Sequence, residues 1–298
     1  MKNGLTVSLI FEASSLNYGE GMGNITTLKH ITREGGEQYT YVSRQALRYN
    51  FVEQLGWNDT EVDASGSGEK KVVQFAPDTN IRDDPEIDLF GYMKTKEKTN
   101  ADTRSAVVRL TNAVSMEPFH ADLDFLTNMG LAHRPKKDDS SAQGKQRPNE
   151  SNSIAQSELH KSFYAYTIAI DLDRIGIDKD IKLDNAERAR RVCELLKTAE
   201  FLYRDIKGRR ENLAPVFIVG GVYERKSPFF ENRLRLEKGN LNVDMVRDVM
   251  DAIGEDTKVG YLPHAFRNDA EIQEKLSCMT ISAFFKQLCA DVEQNYGV

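Results

Sequence analysis

The sequence has few cysteines and no long hydrophobic stretch, and both absences narrow the class of protein. Its three cysteines, Cys193, Cys278 and Cys289, form no Cys-x-x-Cys pair, which is typical of free thiols in a reducing cytoplasm and disfavours a zinc site. No apolar run approaches the roughly 20 residues of a membrane-spanning helix. The early segment LTVSLIFEASS has no small-residue cleavage pattern, so it predicts a strand rather than a signal peptide. We therefore expect a cytoplasmic protein with no membrane partner.

Nucleotide-binding and regulatory motifs are missing as well. Gly19, Gly21 and Gly23 do not have the G-x-G-x-x-G spacing, no predicted helix begins directly after them, and no G-x-x-x-x-G-K-[ST] occurs. No helix-turn-helix pattern supports a DNA-binding regulator. We predict no cofactor and no metal, and interpret these glycines as positions where the backbone approaches a partner closely.

Positive charge is not in excess, because 40 Lys and Arg stand against 46 Asp and Glu, a net charge of −6. This excludes a protein coated in positive charge, such as a histone-like packing protein. It leaves open a nucleic-acid binder with a local basic stripe, because counterion release depends on the residues at the interface. The 298 residues, 40% of them apolar, predict two domains or one domain with large insertions.

What the sequence does contain is an alternation of strand and helix patterns. Apolar periodicity and capping residues predict strands over residues 5–13, 104–117, 160–172, 214–223 and 258–262, and helices over residues 43–56, 184–204, 242–253 and 281–294. In chain order, the main elements predict an α+β fold with an RRM-like (ferredoxin-like) four-stranded antiparallel sheet and two helices on one face.

Two polar regions interrupt this order. Residues 58–102 read as an insertion with its own local structure and a short strand VVQF, and residues 134–158 have almost no apolar content, which predicts a long mobile excursion. Before that excursion, residues 122–131 are predicted as a loop or a helix.

The stretch from residue 24 to residue 49 is locally basic. Ser43 at a helix N-terminus offers a hydroxyl and free backbone N–H groups, which suit a phosphate. Arg44 and Arg48 are one turn apart, Gln45 lies beside them, and Lys29 precedes them on a polar arm. An equally weighted alternative is that Ser43 only caps the helix and the arginines only solvate one of its faces.

Five segments of the sequence resemble one known family. They are GNITTLKHIT, GEQYTYVSRQALRYNFVEQLGW, RSAVVRLTNAVSMEPFHADLDFLTN, FYAYTIAIDL and PVFIVGGVYERKSPFF. In this order they resemble the DevR subgroup of the CRISPR-associated repeat-protein superfamily, the backbone subunit of type I-B Cascade complexes in the Cas-seven family. The resemblance spans nearly the whole chain and is weakest in residues 58–102 and 135–158.

The resemblance implies a non-catalytic subunit of an antiviral surveillance complex. Several copies would form a helical filament on one CRISPR guide RNA, hold its spacer by backbone contacts and present it to target DNA, together with other Cascade subunits. It also implies an RRM-like palm from residues 1–57, 103–132 and 159–298, a finger-like insertion over 58–102, and a thumb or flexible arm over 133–158. In the family, the thumb kinks the RNA and flips out one nucleotide at regular intervals.

The resemblance also carries RNA-binding roles to particular residues. The contact between the first helix and the RNA backbone falls to Ser43, Arg44, Gln45 and Arg48, with Lys29 and Asn24 before them. Candidates on the thumb are Arg134, Lys136 and Lys137, in a segment with five basic and two acidic side chains over residues 133–147; the alternative is a solvated loop. Arg225 and Lys226, on the rim after a buried strand, are candidates for contact with RNA or a neighbouring subunit.

Two further sets of residues have a weaker claim to RNA contact. Asn112 and Ser115 are as well explained as surface decoration. The second set is basic and follows the second long helix, but its cations are better explained as stabilising the C-terminus of that helix. It consists of Arg204, Lys207, Arg209 and Arg210.

A ribonuclease that processes guide RNA or cuts bound target RNA is the alternative function. Such an enzyme needs a general acid/base pair, usually a histidine with a partner. The candidates, none in a pattern that names a partner, are His30, His120, His133, His160 and His264. In related subunits that cut their target, an acidic residue in the loop after the first strand is required, and Glu20, Glu34 and Glu37 occupy that region here, although the DevR resemblance implies no cleavage.

Overall fold

The computed structural model describes residues 1–21, 23–65, 72–95, 101–127 and 154–298. Within this part of the chain the α-helices are α1 (Arg44–Leu55), α2 (Pro85–Phe90), α3 (Asn185–Glu200), α4 (Val243–Ile253), α5 (Asp269–Leu276) and α6 (Ile281–Tyr296). The strands are β1 (Gly4–Ser14), β2 (Ile25–Thr26), β3 (His30–Thr32), β4 (Gln38–Val42), β5 (Val62–Ser65), β6 (Val72–Phe75), β7 (Tyr92–Thr95), β8 (Ala101–Arg104), β9 (Val108–Leu110), β10 (Ala113–Ser115), β11 (Asp122–Thr127), β12 (Ile154–Leu159), β13 (Lys161–Asp171), β14 (Ile177–Asp178), β15 (Ile181–Lys182), β16 (Tyr203–Ile206), β17 (Arg209–Asn212), β18 (Phe217–Tyr223), β19 (Leu236–Glu237), β20 (Asn240–Leu241) and β21 (Lys258–Tyr261).

An eight-stranded sheet organises the molecule. Its order is β21-β18-β1-β13-β10-β4-β3, with β9 also paired to β13, and neighbouring strands run antiparallel. The mixed α+β architecture with antiparallel sheets confirms the coarse fold prediction. No helix in the described ranges combines the length and the hydrophobicity that crossing a bilayer requires.

The two faces of this sheet cover two separate hydrophobic cores. Successive side chains of a strand point to opposite faces, so Val7, Leu9 and Phe11 of β1 pack against α1, α3 and α6. Ile10 lies on the other face, in a cluster with residues of α4 and α5. The strand predicted over residues 5–13 is therefore confirmed, and α1 and α3 lie on the same face of the sheet.

Most of the predicted elements are present, but the sheet is larger than predicted. Three of the predicted helices begin at the predicted capping residues: Ser43 caps α1, Asp184 caps α3 and Asn242 caps α4. The polar arm before α1, in contrast, contains β3 and β4, which extend the sheet at one edge. These strands are short and polar, so they lack the apolar alternation from which a strand is recognised.

The prediction of a loop or helix over residues 122–131 is wrong for residues 122–127, and residues 128–131 lie outside the described residues. Asp122–Thr127 forms β11, which pairs antiparallel with β12, and β12 pairs in turn with β2 in a parallel bridge. Every residue of β11 is exposed, so no burial pattern marks it in the sequence. Part of the predicted excursion, Ile154–Leu159, is likewise a strand, and the rest of that excursion lies outside the described residues.

The predicted helix over residues 184–204 also ends earlier than expected. It stops at Glu200, and the chain then forms the β16–β17 hairpin. Arg204 and the cations after it therefore lie on this hairpin rather than at a helix C-terminus.

The insertion before β9 is bound to the rest of the molecule by a buried charge cluster. The strand predicted from VVQF is confirmed as β6, which pairs with β5. On α2, Asp88 is 0% exposed and its carboxylate accepts hydrogen bonds from Arg104 at 2.7 Å and from Arg191 of α3 at 3.0 Å. The Gly176 amide donates to the same carboxylate. This cluster ties α2 to α3.

Candidate nucleic-acid interface

The start of α1 is a well-capped helix terminus. Ser43 has extended backbone angles, and its Oγ accepts a hydrogen bond from the Ala46 amide at 3.3 Å, the usual geometry of an N-cap. Ser43 is only 9% exposed. The prediction that Ser43 begins the helix is confirmed, and its capping role is part of the alternative that the sequence left open.

Asn17 joins the helix start to the two segments that precede it. Its side-chain amide donates to the Ser43 Oγ at 3.2 Å, and its carbonyl accepts from the Lys29 amide at 2.9 Å. Asn17 is 7% exposed, so its hydrogen bonds serve to hold these segments together within the protein. The loop after β1, the arm that carries Lys29 and the N-terminus of α1 are thus brought together by a residue that the sequence did not single out.

A second asparagine occupies another of the helix N–H groups. The Asn112 Oδ1 accepts from the Arg44 amide at 2.8 Å, at the break between β9 and β10. Together, Ser43 and Asn112 satisfy the Ala46 and Arg44 amides, whereas the Gln45 amide has no partner among the described residues. The expectation of several free N–H groups at this terminus is therefore corrected: a phosphate here would depend mainly on side chains.

Three polar side chains around this terminus are free to bind a ligand. Those of Arg44 and Gln45 are exposed, and that of Lys29 is half-buried. Within the described part of the chain, none of the three makes a hydrogen bond or an ion pair. Two cations and an amide thus surround a helix N-terminus, an arrangement that attracts anions.

The side chain of Arg48, in contrast, forms an ion pair within the protein. Its Nη2 lies 2.8 Å from the Glu86 Oε1 of α2, and its guanidinium lies 5.1 Å from the centre of the Phe90 ring. Burial raises the pKa of Glu86, and the positive charge of Arg48 opposes that shift. Arg48 thus bridges α1 to the insertion, although its side chain is still 37% exposed.

The remaining predicted RNA contacts lie apart from the α1 terminus. Asn24 is exposed, and its carbonyl accepts from the Gln156 amide of β12. Arg225 and Lys226 follow β18 beside Gly4, at the opposite end of β1 from Asn17, and Lys226 pairs with Asp173. A further predicted set, outside the described residues, consists of Arg134, Lys136 and Lys137.

Two histidines hold the base of the β11–β12 pair against the sheet. His30 Nε2 lies 2.7 Å from the Glu158 Oε2, an atom that also accepts from the Leu28 amide. Thr40 Oγ1 lies 2.7 Å from the Nδ1 of His160 and 2.8 Å from the Tyr164 hydroxyl. Burial lowers the pKa of His160. Sequence reasoning found the histidines but not Glu158, because a contact across 128 positions leaves no local signal.

Comparison with known proteins assigns the chain to a family. Residues 5–240 match the family described as "CRISPR-associated negative auto-regulator DevR/Csa2". Over 180 residues the chain is 31% identical to a protein of Myxococcus xanthus (strain DK1622) described as "CRISPR-associated protein Cas7/Cst2/DevR". That match covers 54% of each protein, so the chain spans about half the length of this curated relative.

Solved structures share the fold of the chain. A chain of a "CRISPR RNA-guided surveillance complex, pre-nicking" matches with a TM-score of 0.59 and 11% identity, over 96% of this chain and 100% of that one. A chain of a "CRISPR RNA-guided surveillance complex" matches with a TM-score of 0.56 and 14% identity, over 95% and 99%. Since the family match extends over residues 5–240, this chain belongs to the DevR/Csa2 family of CRISPR-associated proteins.

Proposed function

We propose that this chain is a non-catalytic subunit of a type I-B CRISPR surveillance (Cascade) complex. Copies of it oligomerise along the guide RNA, hold the spacer through its phosphates and present it for pairing with target DNA. The observation that carries the proposal is the set of free side chains of Lys29, Arg44 and Gln45 around the start of α1. Membership of the DevR/Csa2 family supports it.

The strand order supports an RRM-like palm. Four adjacent positions of the sheet are held by β18, β1, β13 and the β9/β10 pair, with α1 between β1 and β9 and α3 between β13 and β18 in the chain. This is the order expected of a split βαβ sheet with two helices on one face. Since RNA-binding modules and enzymes share this fold, it supports the proposal without deciding it.

The thumb of the proposed subunit is the segment 133–158, and β11 leads from the palm towards it. The exposed apolar side chains of Leu123 and Phe125 on β11 would meet RNA or a neighbouring subunit. The finger-like insertion corresponds to residues 58–102, which Arg48 and Asp88 connect to α1 and α3.

The first test measures RNA affinity as a function of salt. For a single strand, the logarithm of the affinity falls by roughly 0.7 per unit of log salt for each phosphate neutralised. We expect Arg44→Ala combined with Gln45→Ala to weaken binding to all single-stranded RNA sequences alike and to flatten the salt slope by about one phosphate. Fluorescence anisotropy with guide RNA at several salt concentrations measures both quantities.

A matched control removes a charge elsewhere. Lys286 is exposed on α6, and Lys286→Ala should leave affinity and slope unchanged. If the Arg44/Gln45 variant keeps the affinity and slope of the unmodified protein, the interface is wrongly assigned. If that protein does not bind RNA, the proposed function is wrong.

The pairing of His30 with Glu158 keeps the ribonuclease alternative testable. In the proposed function this pair only fastens β12 to the segment around β3. Incubation of labelled guide RNA should therefore yield no discrete products. Products that disappear in His30→Gln or Glu158→Gln, but persist in His264→Gln on the exposed loop before α5, would replace the binder with an enzyme.

A further inference from the structure

The β16–β17 hairpin is anchored beside the proposed RNA interface. Gln54 of α1 donates to the Tyr203 carbonyl at 2.7 Å and accepts from the Tyr203 amide at 3.3 Å. Near the hairpin tip, the Lys207 ammonium lies 3.8 Å from the centre of the Tyr18 ring. Tyr18 is next to Asn17, so the hairpin is attached both to α1 and to the loop that supports Ser43.

Arg204 differs from the other arginines of this hairpin. Arg210 forms two hydrogen bonds with Asp205, each of 2.8 Å, and Arg209 lies 3.3 Å from Glu211. The Nε of Arg204 is buried without a hydrogen-bond partner, and no carboxylate of the described residues forms an ion pair with this side chain. Arg204 as a whole is half-buried, but an N–H that loses water and gains no partner destabilises the protein that carries it.

The surroundings of Arg204 disfavour the positive charge of its guanidinium. Burial lowers the pKa of Arg204, and among the described residues only Tyr49, whose phenol is uncharged at neutral pH, opposes this shift. In the part of the chain that the structure describes, this half-buried guanidinium therefore lacks the counter-charge that cations removed from water ordinarily have. An anion brought by a partner would supply it.

Tyr49 connects Arg204 to the proposed interface. It lies on α1 four residues after Gln45, so the two side chains share one helix face, and it is 61% exposed. With a rise of 1.5 Å per residue, Tyr49 is about 9 Å along the helix from Ser43, a spacing that one or two nucleotides of a single strand can span. An exposed aromatic ring beside a cation is a typical stacking platform for single-stranded nucleic acid.

We propose that Arg204 and Tyr49 form a second subsite for the guide RNA, in which Arg204 binds a phosphate and Tyr49 stacks on a neighbouring base. This inference rests on the proposed function, since it extends the same RNA track from the α1 terminus onto the hairpin. Continuity with Arg44 and Gln45 along one helix face favours RNA over a protein partner.

Opposite effects on stability and on binding test the subsite. Because no described residue pairs with the Arg204 guanidinium, Arg204→Met should leave the melting temperature unchanged or raise it. The same variant should bind guide RNA about tenfold more weakly, since a lost charge-assisted hydrogen bond has that effect, and should flatten the salt slope by about one phosphate. Arg204→Lys, which keeps the charge, should recover most of the affinity.

Tyr49 provides an independent variant that does not depend on how Arg204→Met folds. We expect Tyr49→Ala to weaken binding by roughly fivefold or more, and Tyr49→Phe, which keeps the ring, to bind like the unmodified protein. Ultraviolet cross-linking of bound RNA, read by peptide mass spectrometry, should modify the peptide that contains Tyr49. Lys286→Met is the control for a charge removed elsewhere.

Each other outcome overturns the subsite. If Arg204→Met binds RNA normally while the Arg44/Gln45 variant does not, the subsite is wrong and the proposed function stands. If Arg204→Met lowers the melting temperature, or impairs only the association of several copies on long RNA, Arg204 is a structural or protein contact. If the unmodified protein binds no RNA, both proposals fail.

Discussion

At the scale of single residues, polar side chains at the joints between elements hold the candidate site in place. Asn17 supports Ser43, Asn112 supports Arg44, and Glu158 fastens the arm that carries Lys29. All three hydrogen bonds are made within the protein. They stabilise a helix start whose exposed side chains are thereby free to bind one.

His160 gives this joint a pH dependence whose sign follows from its environment. Its folded-state pKa lies below the ordinary 6.5 because burial disfavours the imidazolium. As the pH falls through about 6.5, the unfolded chain takes up the proton first, so the free energy of unfolding decreases. The stabilisation is present above that pH and is lost as the pH falls through the folded-state pKa.

We expect this loss to be smaller when His160 is replaced. Urea unfolding of the unmodified protein and of His160→Asn, each at pH 8 and pH 5.5, measures the difference, which is at most about 1.4 kcal/mol per pH unit for one group. Other titrating groups are common to both proteins and cancel. An identical decrease in the two proteins would show that His160 does not carry the effect.

At the scale of elements, α1 is held from both sides. Gln54 binds the β16–β17 hairpin, and Arg48 binds α2 of the insertion. The insertion in turn depends on Asp88, whose carboxylate lies between Arg104 and Arg191. Positions of functional side chains on α1 therefore depend on elements distant in the chain.

Asp88→Asn tests this dependence. It would leave two buried guanidinium groups without their counter-charge, and breaking a buried pair in this way costs about 3–5 kcal/mol of unfolding free energy. The control is Glu194→Gln, which removes a partly exposed partner of Arg190 on the same helix α3 and should cost no more than about 0.5 kcal/mol. Thermal or urea unfolding measures both, and equal effects would contradict the structural role of Asp88.

At the scale of the whole molecule, the excess negative charge is compatible with RNA binding because free cations lie together at one site. The chain carries a net charge of −6, yet free cations surround the start of α1. Acidic surface away from an RNA track limits stray contacts with nucleic acid and offers sites for the basic segments of a neighbouring copy. Both effects suit a subunit that polymerises along RNA.

Assembly on RNA is the corresponding prediction. Size-exclusion chromatography with light scattering should give a single protomer, or a low oligomer, without RNA, and a series of masses that grows with the length of added guide RNA. Double-stranded DNA of the same length serves as the control and should produce no such series. A constant protomer mass on RNA of every length would contradict the filament.

The predictability of the fold and the site depended on whether the determining contact is local. The helix start at Ser43 could be read from the sequence because a cap and its amide lie three residues apart. The strand β11 could not, because all its side chains are exposed and it is specified by pairing with β12. The partner of Arg48 and the lack of one at Arg204 likewise depend on residues far away in the chain.

By itself, the sequence determined the α+β class, the long helices with their caps, the central strands and the basic stretch before Arg48, together with the family resemblance. These features follow from side-chain periodicity and from hydrogen bonds between near neighbours. Only the tertiary structure decided which polar groups are satisfied and which remain free. Burial and charge pairing depend on which residues lie close together in the folded protein, and not on their order in the chain. Arg48 and Arg204 both lie in basic stretches of the sequence, yet Arg48 pairs with Glu86 and the Nε of Arg204 is buried without a partner.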